Sequence, residues 1–93
     1  MITVSIVTYK TDLEELEKCL NSLRSKLVSR IYVVDNSRQE YIKKYCEGKE
    51  GVEYIPDRNV GYGAAHNIAI RKAISDGSKY HLVLNSDVYF EPR

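Results

Sequence analysis

No stretch of this sequence stays apolar for more than a few residues, which excludes a bilayer-spanning helix, since that needs about 20. Charge of one sign is lacking too. Fourteen Lys and Arg stand against thirteen Asp and Glu, a net charge of +1, so no global field gathers nucleic acid or an anionic membrane surface. Any phosphate recognition must be local. The opening MITVSIVTYK has no basic n-region and sets hydroxyl residues between its apolar ones, so it reads as a strand rather than a signal peptide, and a cytoplasmic location is expected. Cysteine is scarce: Cys19 and Cys46 stand far apart without metal-ligand spacing and read as reduced, structural thiols. There is no internal repeat, low-complexity tract or linker. The 93 residues, 43% hydrophobic and 29% charged, fit one domain with a modest core.

What is present is regular. Ile2, Val4 and Ile6 alternate with Thr3 and Ser5, and IYVV (31–34), VEYI (52–55) and YHLVL (80–84) are three further β-prone runs. Between the first two runs, Leu13, Leu16, Leu20, Leu23 and Leu27 recur at spacings of three and four, with Thr11 and Glu14 placed as a capping box. RQEYIKKYCEG predicts a shorter helix, and GYGAAHNIAIRKAISDG a longer one closed by Gly77. The order is βαβαβαβ, which favours an α/β fold with a parallel four-stranded sheet and helices on both faces. One reversal of winding between the first and fourth strands gives the strand order 3-2-1-4.

In such sheets ligands bind beyond the carboxyl ends of the strands, where this chain carries Thr8-Tyr9-Lys10, Asp35-Asn36-Ser37, Asp57-Arg58-Asn59-Val60-Gly61 and Asn85-Ser86-Asp87. Each group has two readings. Asp35 either accepts hydrogen bonds from a base or ribose or caps the next helix with Ser37. Tyr9 either stacks on a base or packs. The glycines of NVGYGAAHN either let backbone approach a phosphate at a helix N-terminus or form a tight turn. His66 and Asn67, at the start of that helix, can face a ligand, although His66 has no partners spaced for a metal. Asn85 and Asp87 lie on one side of an extended segment, suited either to a hard divalent ion or to an Asx turn.

Taken in order, VSIVTYK, VVDNS, NVGYGAAHNIAI and VLNSDV make the chain resemble the N-terminal, nucleotide-sugar-binding half of a family 2 glycosyltransferase of GT-A fold. The resemblance implies that Thr8 and Tyr9 line the nucleotide site, and that Asp35 contacts the base. Asn59, Gly61 and Asn67 would belong to the donor-binding loop and the helix after it. Asp87 would be the last residue of a D-x-D motif holding Mg²⁺ or Mn²⁺ against the donor diphosphate, with Asn85 in place of the first Asp, a variant similar to a rhamnosyltransferase-like branch. His66 stands where many members carry Arg.

The reaction implied is inverting transfer of a sugar from a UDP- or dTDP-linked donor to an acceptor hydroxyl, as in polysaccharide biosynthesis. A carboxylate base would come from an acceptor-binding half that residues 1–93 do not supply. The chain is therefore expected to be inactive alone and to self-associate through surface that such a half covers. A dinucleotide-binding fingerprint needs glycines after the first strand, which TYKTDLEE lacks. A receiver-like regulatory domain needs an acidic pair there. A non-enzymatic nucleotide-binding module remains the alternative.

Overall fold

The computed structural model describes residues 2–23, 28–57 and 62–85. Seven elements follow in the expected order: β1 (Ile2–Thr8), α1 (Leu13–Ser22), β2 (Val28–Asp35), α2 (Glu40–Glu47), β3 (Val52–Pro56), α3 (Tyr62–Ser75) and β4 (Tyr80–Asn85). The strands form one sheet in the order β3-β2-β1-β4, and every pairing is parallel. Fold class and strand order are those the alternation of strands and helices predicts.

The central strands are buried on both sides, and each side has its own cluster. Val4, Ile6, Ile31 and Val33 pack with Leu16, Cys19 and Leu20 of α1 and Ile42 and Cys46 of α2. Val7, Tyr32 and Val34 pack on the other side with Ala65, Ala69 and Ala73 of α3. The alanines recur every fourth residue, and their small side chains allow α3 to lie close on the sheet. With α1 and α2 on one side and α3 on the other, winding reverses between β1 and β4, which opens the crevice at their carboxyl ends.

The leucine stripe of α1 points inward as expected through Leu16, Leu20 and Leu23, whereas Leu27 lies outside the described residues. The helix cap differs from the expectation. Asp12, not Thr11, is the N-cap, its side chain accepting from the Glu14 backbone N–H; the Thr11 hydroxyl instead accepts from the Tyr9 N–H at 3.1 Å. A carboxylate one residue closer to the helix wins because it adds charge to the cap. Gly77, with φ +88°, ends α3 in a Schellman arrangement, Gly77 N–H donating to Ile74 C=O and Ser78 N–H to Ala73 C=O.

Beneath α3 lies a polar layer that alternation alone does not reveal. Ser5 Oγ and His66 Nδ1 share a hydrogen bond of 2.8 Å, and Thr3 Oγ1 and His81 Nδ1 one of 2.7 Å. His66 is thus turned into the sheet, and sits in the second turn of a helix that begins at Tyr62. The Nε2 atoms of both histidines are buried without a partner among the described residues. Burial lowers the pKa of each, and for His66 the neighbouring His81 lowers it further. Both are favoured neutral in the fold, so the unfolded chain binds more protons below its ordinary histidine pKa of about 6.5. Stability is accordingly complete above that pH and falls as the solution is acidified. Urea titrations at pH 8 and pH 5.5 should show the acidic midpoint lower, and the double variant His66→Gln, His81→Gln should lose most of that difference. A midpoint independent of pH would refute this account.

Among the described residues, β4 is a sheet edge on which Tyr80, Leu82 and Val83 are exposed, the surface available to the self-association expected from the sequence. No helix among them is long and apolar enough to cross a membrane.

Candidate functional site

The carboxyl ends of β1, β2 and β3 are held together by one side chain. Asp35, the last residue of β2, is completely buried, yet no cation is paired with it among the described residues. Its carboxyl oxygens are taken up by hydrogen-bond donors instead. Oδ1 accepts from the Thr8 hydroxyl at 3.0 Å, the Ser37 N–H at 3.2 Å and the Ser37 hydroxyl at 3.1 Å. Oδ2 accepts from the Gln39 N–H at 2.7 Å and the Tyr54 hydroxyl at 2.8 Å. These donors come from β1, from the loop between β2 and α2, and from β3. Burial, followed by the bond to Asp35, raises the pKa of Tyr54 and keeps it a donor. Burial, with Asp35 second, pushes the Cys46 thiol up to about 12, so that free cysteine is inert.

The loops are joined to each other as well. The Lys10 N–H donates to Ser37 Oγ at 2.9 Å, the Thr11 N–H to Gln39 Oε1 at 3.1 Å and the Tyr41 hydroxyl to Thr11 C=O at 2.7 Å. Lys10 and Arg38 hold φ of 47° and 49°, a left-handed conformation costly for residues with a Cβ. One lies in the loop after β1 and the other in the loop after β2. Sparsely populated backbone of this kind clusters at ligand sites.

The structure places the sequence-predicted residues as follows. Thr8 and Asp35 meet, but as partners of each other inside the protein. Tyr9 stands beside them, 40% exposed as a residue, with the Lys10 ammonium 5.5 Å from the centre of its ring. Asn85 ends β4 across the crevice, in register with Val7 of β1. Asn67 is exposed on α3, two residues from the inward Ala65, and turns away from the sheet. Asn59, Gly61 and Asp87 lie outside the described residues. Among the described residues no group of three or more His, Cys, Asp and Glu could hold a metal ion.

Sequence reasoning passed over Gln39 and Tyr54, the outer members of the hub. Tyr54 had a signal. Ile55 pairs with Val34, so the residue before it falls on the face shared by Val33 and Asp35.

At the carboxyl edge of this doubly wound half-sheet, Tyr9 follows β1 and is exposed, Asn85 ends β4 on the other side of the switch point, and the loops after β1 and β2 are held by a buried carboxylate. No curated protein matches the chain. The family model described as "Glycosyl transferase family 2" matches residues 3–93, a span that takes in every strand and helix that builds this edge, and the chain belongs to glycosyl transferase family 2.

Proposed function

We propose that residues 1–93 form the donor-binding half of a glycosyltransferase that transfers a sugar, with inversion, from a UDP- or dTDP-linked donor to an acceptor hydroxyl. The observation that carries this reading is the switch point between β1 and β4, where helices change face and Tyr9 and Asn85 flank the opening. Tyr9 offers its exposed ring to the base, and Thr8 and Asp35 act by fixing the loop that presents it. A direct base contact by Asp35 would have to displace one of its five protein donors. Asn59, Gly61 and Asn67 supply the loop and helix against the donor sugar and phosphates.

Asn85 and Asp87 offer an amide oxygen and a carboxylate, hard donors of the kind that suit Mg²⁺ or Mn²⁺. Such an ion, when bound, neutralises charge on the leaving diphosphate. The Asn-x-Asp form favours the rhamnosyltransferase-like branch and hence a dTDP-linked donor.

Calorimetric titration of the chain with UDP and with dTDP, each with and without Mn²⁺, tests the reading. Binding strengthened by Mn²⁺ is expected, with no sugar transfer by residues 1–93 alone, since no residue here is assigned as base. Absence of binding by either nucleotide would overturn the proposal.

A further inference from the structure

One side chain ties the leading half of α3 to the sheet. Ser78, just past the helix, shares a hydrogen bond of 2.8 Å with Thr3 near the start of β1, whereas His66 reaches Ser5 further along that strand. α3 therefore runs against β1, with its first turn at the carboxyl edge and His66 about 6 Å along from its start at Tyr62. The trailing half is held by an ion pair of Lys72 with Glu53 at 3.0 Å, and just beyond it Asp76 accepts from the Tyr32 hydroxyl at 2.7 Å. In the leading half, the bond between Ser5 and His66 is the only side-chain hydrogen bond to the sheet among the described residues. Ala65 and Ala69 pack beside it, and side chains so small add little apolar contact.

The surroundings of His66 suit a neutral ring alone. It is buried, and a second ring proton, on Nε2, would meet no acceptor among the described residues. The elements packed around it supply no free countercharge. β1 brings the hydroxyls of Thr3 and Ser5, and β4 brings His81, whose Nε2 is equally unpartnered. Glu53 of β3 is paired with Arg30 of β2 and with Lys72, and Asp76 is bonded to Tyr32. Arg71, on α3 itself, donates to Asn67 C=O. A proton on His66 thus creates a buried cation with an unsatisfied donor, which costs more than one hydrogen bond and two alanine contacts return. Burial, followed by the charge of His81, accordingly holds the His66 pKa below its ordinary value. Resting on the donor-binding reading above, we propose that His66 is a positioning residue for the donor crevice: neutral, it latches the first turns of α3 to β1, and protonated, it releases them, so that nucleotide-sugar affinity falls in mildly acidic solution before the sheet unfolds.

The test is calorimetry from pH 8 to pH 5 at fixed Mn²⁺, with UDP-glucose and dTDP-glucose as probes, since a diphosphate esterified at both ends keeps its charge over that range. Affinity should be about tenfold or more lower at pH 5 than at pH 8, the size of an ordinary coupling, while far-UV circular dichroism is unchanged. His66→Gln can still bond to Ser5 and takes up no proton, so it should bind at pH 8 and lose most of the pH dependence. His81→Gln removes a neighbour that lowers the His66 pKa, so its affinity should fall at a higher pH than the parent's. A merely structural pair would give the two variants like profiles. Amide hydrogen exchange on the nucleotide-free parent, corrected for the pH dependence of the chemistry, should lose protection over residues 62–69 on acidification and keep it in β1 and β2. Affinity independent of pH in the folded parent overturns the proposal, and so does affinity lost only as the circular dichroism signal collapses. Unchanged protection of residues 62–69 does the same, and needs no variant to fold. Failure of the parent to bind either probe at pH 8 would instead bring down the donor-binding reading, with the exchange result still deciding whether the latch exists.

Discussion

Asp35→Ala is expected to cost the chain about 3 kcal/mol, because it strands buried and half-buried donors on three segments at once. Thr8 and Ser37 can turn their hydroxyls elsewhere, but the Gln39 N–H and the Tyr54 hydroxyl lose their partner outright. For a domain whose whole stability is about 5–15 kcal/mol, that is a large fraction, and it corresponds to a fall of roughly 12–24 °C in Tm at this size. Asp35→Asn should recover little, since its amide turns two hydrogens towards groups that are themselves donors. Tyr54→Phe removes a single donor from a carboxylate that keeps four others, and should cost only about 1 kcal/mol. Nucleotide binding should weaken in Asp35→Ala with or without Mn²⁺, because the loops carrying Tyr9, Lys10 and Ser37 lose their common anchor. Thermal melts followed by circular dichroism decide the matter. An Asp35→Ala midpoint within a few degrees of the parent would show that the hub bonds are not holding the edge.

The pattern of strands and helices carried the fold because each element stated its own period. Ile2, Val4 and Ile6 differ from the leucines of α1 in spacing alone, and spacing decides which face of an element is buried. Position along the edge was readable for the same reason: every group after a strand end must lie at one rim of a parallel sheet. What a rim residue does with its atoms was not readable. Asp35 looks alike whether it meets a base or caps a helix, and its saturation depends on Tyr54 and Gln39, 19 and 4 residues away in sequence. Asn36 Oδ1 and Asp57 Oδ2 are buried without a hydrogen-bond partner among the described residues, which only a folded chain can show. His66 misled in the opposite sense. Its place before Asn67 suggested a ligand-facing group, yet a serine at the middle of β1 needs a partner under α3, and satisfying a buried hydroxyl outweighed exposure.

Asp87→Asn is expected to abolish the mutual strengthening of Mn²⁺ and nucleoside diphosphate binding. In the proposed site Asp87 is the single carboxylate ligand, and the neutral Asn85 beside it adds no charge. Ions of this class keep several waters and take the rest of their shell from substrate phosphate, so Mn²⁺ alone should bind the chain poorly. Once a diphosphate is present its oxygens complete the shell, and by linkage each ligand raises the affinity of the other by the same factor. That factor should be on the order of tenfold or more in the parent chain, within the usual range of such couplings, and close to one in Asp87→Asn. The substitution leaves the Thr8, Ser37, Gln39 and Tyr54 donors of the Asp35 hub in place, and this separates the variant from Asp35→Ala, where folding and binding fall together. Calorimetric titration of UDP and dTDP, with and without Mn²⁺, on the parent and on Asp87→Asn measures the factor directly. An enhancement that survives the substitution would mean that the ion sits elsewhere and that Asn85-Ser86-Asp87 only turns the chain.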